Sequence, residues 1–173
     1  TKLDDYQRKY LSMVQESGEA LLVVINDVLD FSKIEAGKLE IEERIFDIRE
    51  SLGDAIRSFA VKAHFKKLEL AFRVDPHVPR FVVGDIGRLR QVLNNLIGNA
   101  IKFTDDGEVL VQVSDLPAPQ GEVCLSISVR DTGIGIPPDK RQAIFNEFEQ
   151  ADTSTTRRYG GTGLGLSISS RLV

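Results

Sequence analysis

Cysteine is almost missing from this sequence: it occurs once in 173 residues, so no disulfide can form within the chain. That residue, Cys124, stands between Val123 and Leu125 and reads as a small buried hydrophobe in a reducing, cytoplasmic setting. A basic excess is missing too. The 22 Lys and Arg stand against 26 Asp and Glu, and the net charge of −4 is spread without long like-charge runs, which argues against a nucleic-acid surface. No apolar run approaches the ~20 residues of a membrane span, and the first residues are charged rather than the start of a signal peptide. A membrane-bound parent protein would carry its anchor elsewhere. What is there, 42% hydrophobic and 28% charged residues, suffices for one good core plus an appendage.

The most informative stretch is Asn95-Leu-Ile-Gly-Asn-Ala-Ile-Lys-Phe-Thr104. Leu89, Val92, Leu93, Leu96, Ile97, Ala100 and Ile101 recur at helical spacing and define one apolar face. Asn95, Asn99 and Lys102 fall on one neighbouring stripe. Asn94, Asn95, Gly98 and Asn99 are poor helix formers, by roughly half to one kcal/mol each relative to Ala, and such local violations tend to mark functional sites. Two amide oxygens and an ammonium beside a greasy face suit a hydrated Mg²⁺ and a polyphosphate. A plain solvated polar face would carry the same residues.

Taken in order, Leu3 to Glu35 keeps three-and-four apolar spacing through Tyr6, Tyr10, Val14, Leu21, Val24, Val28 and Phe31, which predicts one long helix packed on another. Gly37 supplies a stop, and Lys38 to Ile45 alternates as a strand with Leu39, Ile41 and Ile45 inward. Asp47 and Glu50 have capping-box spacing and start a helix running to about Phe65. Strands follow at Leu68 to Val74 and around Phe81 to Val83, and Asp85 caps the Asn-bearing helix. Val109, Val111 and Val113 alternate in the next strand, and Leu116 to Gly121 forms a hairpin loop. This order predicts an α+β two-layer sandwich, with helices on one face of a mixed or antiparallel sheet, preceded by one long helix.

In the return strand Val123, Leu125, Ile127 and Val129 share one parity and one core face, and Asp131 is next in that parity. A carboxylate aimed at an interior is costly unless a donor meets it. Gly133 and Gly135 let backbone approach something flat, and Pro137-Pro138 starts a short helix; Asp-Thr-Gly as a simple turn is the plainer alternative. Glu149 to Tyr159, with Arg157 and Arg158, has little to bury and reads as a mobile loop. It ends in Gly160-Gly-Thr-Gly-Leu-Gly-Leu166, which feeds a helix to Val173 and offers an anion site, although a linker would also be Gly-rich. No Gly-Lys-Ser/Thr follows and no strand precedes, so it is neither a P-loop nor a dinucleotide fingerprint.

NLIGNAIKFT, DTGIGIPP, IFNEFEQ and YGGTGLGLSIS, in that order, resemble the four nucleotide-site boxes of sensor histidine kinases, within the ATPase superfamily shared with gyrase and MutL proteins. LVVINDVLDFSKIEAGKLE, at Leu22 to Glu40, resembles the end of the second dimerisation helix of hybrid-type kinases. The resemblance covers essentially the whole chain. It implies a Bergerat-type ATP-binding fold, with residues 1–36 as that helix and residues 37–173 as the catalytic domain, incomplete at its C-terminal end. It also implies transfer of the ATP γ-phosphate to a histidine on a first dimerisation helix outside this chain.

Carried over residue by residue, Asn99 is the expected Mg²⁺ ligand, Asn95 shapes the metal and phosphate region, and Lys102 meets phosphate. Asp131 accepts a hydrogen bond from the adenine amino group, between Gly133 and Gly135 flanking the base. Gly161, Gly163 and Gly165 hinge a lid and face the phosphates, with Thr162 and Leu164 in the same cofactor-binding segment. Either Arg157 or Arg158 reaches the γ-phosphate, and Phe145 and Phe148 brace the lid. Implied partners are ATP, the histidine-bearing helix, a response-regulator receiver domain and, in the full-length protein, a second copy. No nucleic-acid partner is expected. His64 and His77 lack the acidic follower of an acceptor histidine and read as ordinary surface or packing residues, so the isolated chain is not expected to phosphorylate itself. Two other readings are a nucleotide-binding or dimerisation module without phosphotransfer, and a gyrase- or MutL-type ATPase, against which the long first helix argues.

Overall fold

In a computed structural model that describes residues 3–147 and 163–173, with Glu16 through its backbone alone, the Asn-bearing helix is the centre of the core. The element order is α1 (Asp5–Glu35), β1 (Arg44–Asp47), α2 (Ile48–Arg57), α3 (Ala60–Phe65), β2 (Glu69–Val74), β3 (Phe81–Gly84), α4 (Ile86–Phe103), β4 (Glu108–Leu116), β5 (Cys124–Asp131) and α5 (Gly165–Leu172). Two 3₁₀ turns, Pro138–Lys140 and Ala143–Phe145, stand where the sequence predicts one short helix.

Strands β2, β4 and β5 form a mixed sheet in the order β2-β4-β5, parallel between β2 and β4 and antiparallel between β4 and β5. Strands β1 and β3 pair separately as an antiparallel ribbon. The apolar periodicity reads directly into the core: Ile48, Leu52 and Ile56 of α2, Leu93 and Ile97 of α4, and Val109, Val111 and Val113 of β4 form one cluster. Fully burying a residue of this kind is worth about 1.5–3 kcal/mol. The result is helices packed on a mixed sheet, as the sequence predicts.

Side chains that the backbone needs sit at the helix starts. Asp4 and Gln7 form a capping box on α1, and Asp47 accepts from the N–H groups of Arg49 and Glu50 to start α2. Asp85 accepts from Arg88 N–H at 2.9 Å and also from Glu42 N–H at 3.0 Å, so one carboxylate starts α4 and ties the preceding connection to it. The bond from Arg88, foremost, holds the Asp85 carboxyl below the usual carboxylate range.

Three expectations fail here. Lys38 to Ile45 is not a strand: only Arg44–Asp47 pairs, and Ile41 and Ile45 are exposed while Leu39 is half-buried. Pairing begins at Arg44 because β3, the partner, ends at Gly84. The helix from Asp47 to Phe65 breaks at Ser58–Phe59 into α2 and α3; the Ser58 hydroxyl bonds back to Ala55 C=O, competing with the helical ladder. Cys124 is exposed at the end of β5, paired with Leu116 next to the hairpin loop; its parity is opposite to that of Leu125, Ile127 and Val129, so it points away from the core face that its apolar neighbours suggested.

Candidate active site

The stripe on α4 exists as a bonded pair. Asn99 donates from Nδ2 to Asn95 Oδ1 at 3.2 Å, and Asn95 donates from Nδ2 to the Ser169 hydroxyl on α5 at 2.9 Å. Lys102, on the same stripe, places Nζ 4.7 Å from the centroid of the Phe103 ring. Burial pushes its ammonium below the usual lysine range. Lys102 also lines an apolar groove with Phe59, Phe65 and Gly98, so it stands at the border between the asparagine pair and that groove.

The C-terminal end of α4 positions the Asp-Thr-Gly loop. Its last carbonyls have no helical donors, and each finds another. Lys66 Nζ donates to Ile101 O and Lys102 O at 2.9 Å and to Thr104 O at 3.1 Å, while buried Thr104 Oγ1 donates to Ala100 O at 2.7 Å. Phe103 O receives Ile134 N–H at 3.3 Å. A Cβ on Gly133 would stand 2.3 Å from that same oxygen, so only glycine lets the loop come this close. Thr132 holds the loop from the other side, its hydroxyl accepting from Glu108 N–H at 3.0 Å. Gly107, at φ +110°, leaves the space that this hydroxyl occupies.

Asp131 pairs with fully buried Val109, so it belongs to the core face of the sheet, as its parity predicts. It is nevertheless exposed, because it occupies the last paired position of the β4–β5 ladder, where the sheet ends. The desolvation cost anticipated from its orientation therefore does not arise. Its Oδ1 accepts Gly133 N–H at 2.9 Å, an Asx turn that fixes the carboxylate. Gly135 adopts φ +66°, and its neighbours Ile134 and Ile136 are exposed beside it.

Across the site, Gly163 takes φ +72° and leads into Leu164, which is fully buried, and then into α5. A Cβ on Gly165 would lie 2.4 Å from Asn95 Oδ1. The end of the glycine-rich segment is thus packed on the asparagine pair, as a docked element rather than a linker. Gly161, Thr162, Arg157, Arg158, Phe148 and the whole Glu149 to Tyr159 loop lie outside the described residues, and Phe145 is exposed. Among the described residues no group of three or more His, Cys, Asp or Glu side chains could cage a metal.

Residues 84–173 match the family described as histidine kinase-, DNA gyrase B-, and HSP90-like ATPases. The chain belongs to this ATPase family. It is 47% identical to hybrid signal transduction histidine kinase A of Dictyostelium discoideum and 45% identical to the signal transduction histidine-protein kinase BarA of Escherichia coli K12. Both matches cover 100% of this chain, but only 8% and 19% of those proteins. The crystal structure of full-length ShkA in complex with AMPPNP superimposes with a TM-score of 0.78 and 41% identity, over 99% of this chain and 34% of that one. The similarity over the whole chain is to histidine kinases, not to gyrase or MutL proteins.

Within the ATPase family frame, the residues that sequence reasoning passes over are those that hold the named ones. Lys66 lies 35 positions before Ile101, and nothing in the spacing announces their bond. Thr132 is legible only as the middle of a turn motif, and Ser169 only as a polar residue in an amphipathic helix. Asp30 of α1 accepts from both Arg88 and Gln91 of α4 at 2.7 Å, fastening the first helix beside the site. Burial pushes the Asp30 carboxyl up, but these bonds and the Arg88 and Lys33 charges outweigh it and hold it below the usual range.

Proposed function

We propose that this chain is the ATP-binding catalytic region of a sensor histidine kinase, with residues 1–36 as the second helix of the dimerisation hairpin and residues 37–173 as the catalytic domain. The observation that carries the reading is the meeting of three motifs at one end of α4. The asparagine pair packs against Gly165, and the Asp131 loop seats its backbone on Phe103 O. Asp131 offers its outward oxygen to an amino group on a base, and Gly133 and Gly135 keep side chains away from the ring's flank. Lys102 meets phosphate, and Gly163 and Gly165 allow close approach of the polyphosphate to the start of α5. Arg157 or Arg158 is the proposed contact to the γ-phosphate, with Gly161 and Thr162 in the lid.

Mg²⁺ fits the donor set. Asn99 donates its N–H to Asn95, which leaves its amide oxygen for a cation, and Mg²⁺ commonly takes one or two protein ligands with phosphate oxygens and water. When bound, the ion neutralises charge on the phosphates. The residues of this chain contribute orientation and charge: transfer needs the acceptor imidazole in line with the phosphoryl group, and positioning supplies most of the advantage. The acceptor is a histidine of the dimerisation helix outside these residues, in a homodimeric cytoplasmic assembly that passes phosphate to a response-regulator receiver domain.

Titration of the Asp131→Ala variant with ATP and GTP tests this reading. Losing a charged hydrogen bond of this kind should weaken ATP by ~1.5–3 kcal/mol and leave GTP, with a carbonyl at that ring position, nearly unchanged. Equal losses for the two nucleotides would reject the adenine assignment. Incubation of the isolated chain with γ-labelled ATP should leave no acid-labile label on it; label at His64 or His77 would overturn the view that the acceptor lies elsewhere.

A further inference from the structure

The polarity of the asparagine pair is set by a single hydroxyl. Ser169, 7% exposed, donates from Oγ to Gly165 O at 2.8 Å, one turn back in α5. A carbonyl oxygen can only accept, so the hydroxyl proton is committed to it, and Ser169 Oγ can take only a donor from Asn95. Asn95 must therefore turn its Nδ2 to Ser169, at 2.9 Å, and its Oδ1 the other way. Asn99 then meets an acceptor and turns its own Nδ2 inward, at 3.2 Å, which presents Asn99 Oδ1 outward. One backbone carbonyl thus fixes, through three side chains in series, which atom of Asn99 faces the site. Gly165 closes the arrangement, since a Cβ there would lie 2.4 Å from Asn95 Oδ1 and push the amide away.

We propose that Ser169 is a positioning residue for the cation, orienting Asn95 and through it Asn99 so that an amide oxygen rather than an amide nitrogen meets Mg²⁺. The inference rests on the reading of Asn99 as the metal ligand, and adds a residue that touches neither metal nor nucleotide. Without the hydroxyl, nothing distinguishes the two flips of Asn95 at this contact, and a flipped pair would aim N–H groups at a divalent cation. The same geometry explains why Ser169 can be buried at low cost: its proton and one lone pair are both used.

The test is the Mg²⁺ dependence of nucleotide binding, measured by calorimetry with ATP in excess Mg²⁺ and in excess chelator. Ser169→Ala should lose about five-fold or more of the affinity gained from Mg²⁺, roughly the worth of one hydrogen bond, while chelator-phase affinity and melting temperature stay near those of the parent. Ser169→Thr, which keeps the hydroxyl, should restore Mg²⁺ dependence. In the nucleotide-free protein the Asn95 side-chain amide protons should exchange faster with water in Ser169→Ala, a readout independent of any metal. Asn99→Leu, run alongside, separates the two claims. If Asn99→Leu abolishes Mg²⁺ dependence and Ser169→Ala leaves it intact, the positioning role is overturned and the ligand assignment stands. If Asn99→Leu leaves Mg²⁺ dependence unchanged, the ligand assignment fails and the positioning role with it. Equal loss in Mg²⁺ and chelator would reduce Ser169 to a packing residue.

Discussion

Helices α1 and α4 carry similar apolar repeats and meet opposite fates. In α4, Leu93, Ile97, Ala100 and Ile101 are 6% exposed or less, sealed between α2 and β4. In α1, Tyr6, Tyr10, Val14 and Leu21 are 59–77% exposed. The stripe alone therefore predicts a helix but not what covers it; among the described residues α4 finds its cover, whereas most of α1 does not. Their ends differ in the same way. Helix α1 stops locally, with Gly37 at φ +62° and the N–H groups of Ala36, Gly37 and Lys38 returning to Ser32, Ile34 and Lys33. The end of α4 is held from a distance by Lys66.

The largest effect should come from truncating the two stripes. Ile97→Ala should cost about 2–5 kcal/mol in chemical denaturation, and Val14→Ala should stay within about 0.5 kcal/mol. A comparable loss for Val14 would mean that α1 is covered in solution and would break the contrast. Next is Lys66→Met, which removes a charged donor from three carbonyls at once. A loss of about 1.5–3 kcal/mol is expected, with faster amide exchange at Ile134, whose N–H bonds the same helix end. No change would mean that water replaces the ammonium without penalty.

The smallest effect concerns the fastening between the helices. Asp30→Asn should weaken docking of α1 by about 1 kcal/mol, read as increased proteolysis near its C-terminal end. Its pH dependence has a defined sign. The folded-state pKa lies below the usual 3.8, so the contribution is fully present above 3.8 and is lost as pH falls through the lower, folded value. Docking in the parent should loosen only in strong acid, and the Asp30→Asn variant should show no such step. An acid step that survives the substitution would place the titrating group elsewhere.

What the sequence made legible follows from period and parity. The α4 face, the β4 alternation and the sheet face of Asp131 all come from spacings that a regular backbone converts directly into direction. Illegible were contacts that regular spacing does not encode: Lys66 on the end of α4, Asp30 on Arg88, Ser169 on Asn95. Each joins positions far apart in sequence through one long or polar side chain, and two of them hold residues that the motifs do name, Lys102 and Asn95. Ile41 and Ile45 failed for a related reason, since alternation says which residues share a face and not whether anything lies over it.

The attachment of α1 has a mechanical consequence. Among the described residues, α1 is fastened near one end, where Asp30 bonds Arg88, Glu35 pairs with Arg171, and the Arg171 guanidinium lies 5.3 Å from the centre of the Phe31 ring. At ~1.5 Å per residue, the 31 residues of α1 make a rod of roughly 46 Å fastened at its base. A tilt of about 10° at that base sweeps the far end through roughly 8 Å on such a rod, so a displacement at Tyr6 is scaled down several-fold at Phe31. Arg171 stands on α5 two residues from Ser169, so the short arm of this lever bears on the helix that orients the asparagine pair.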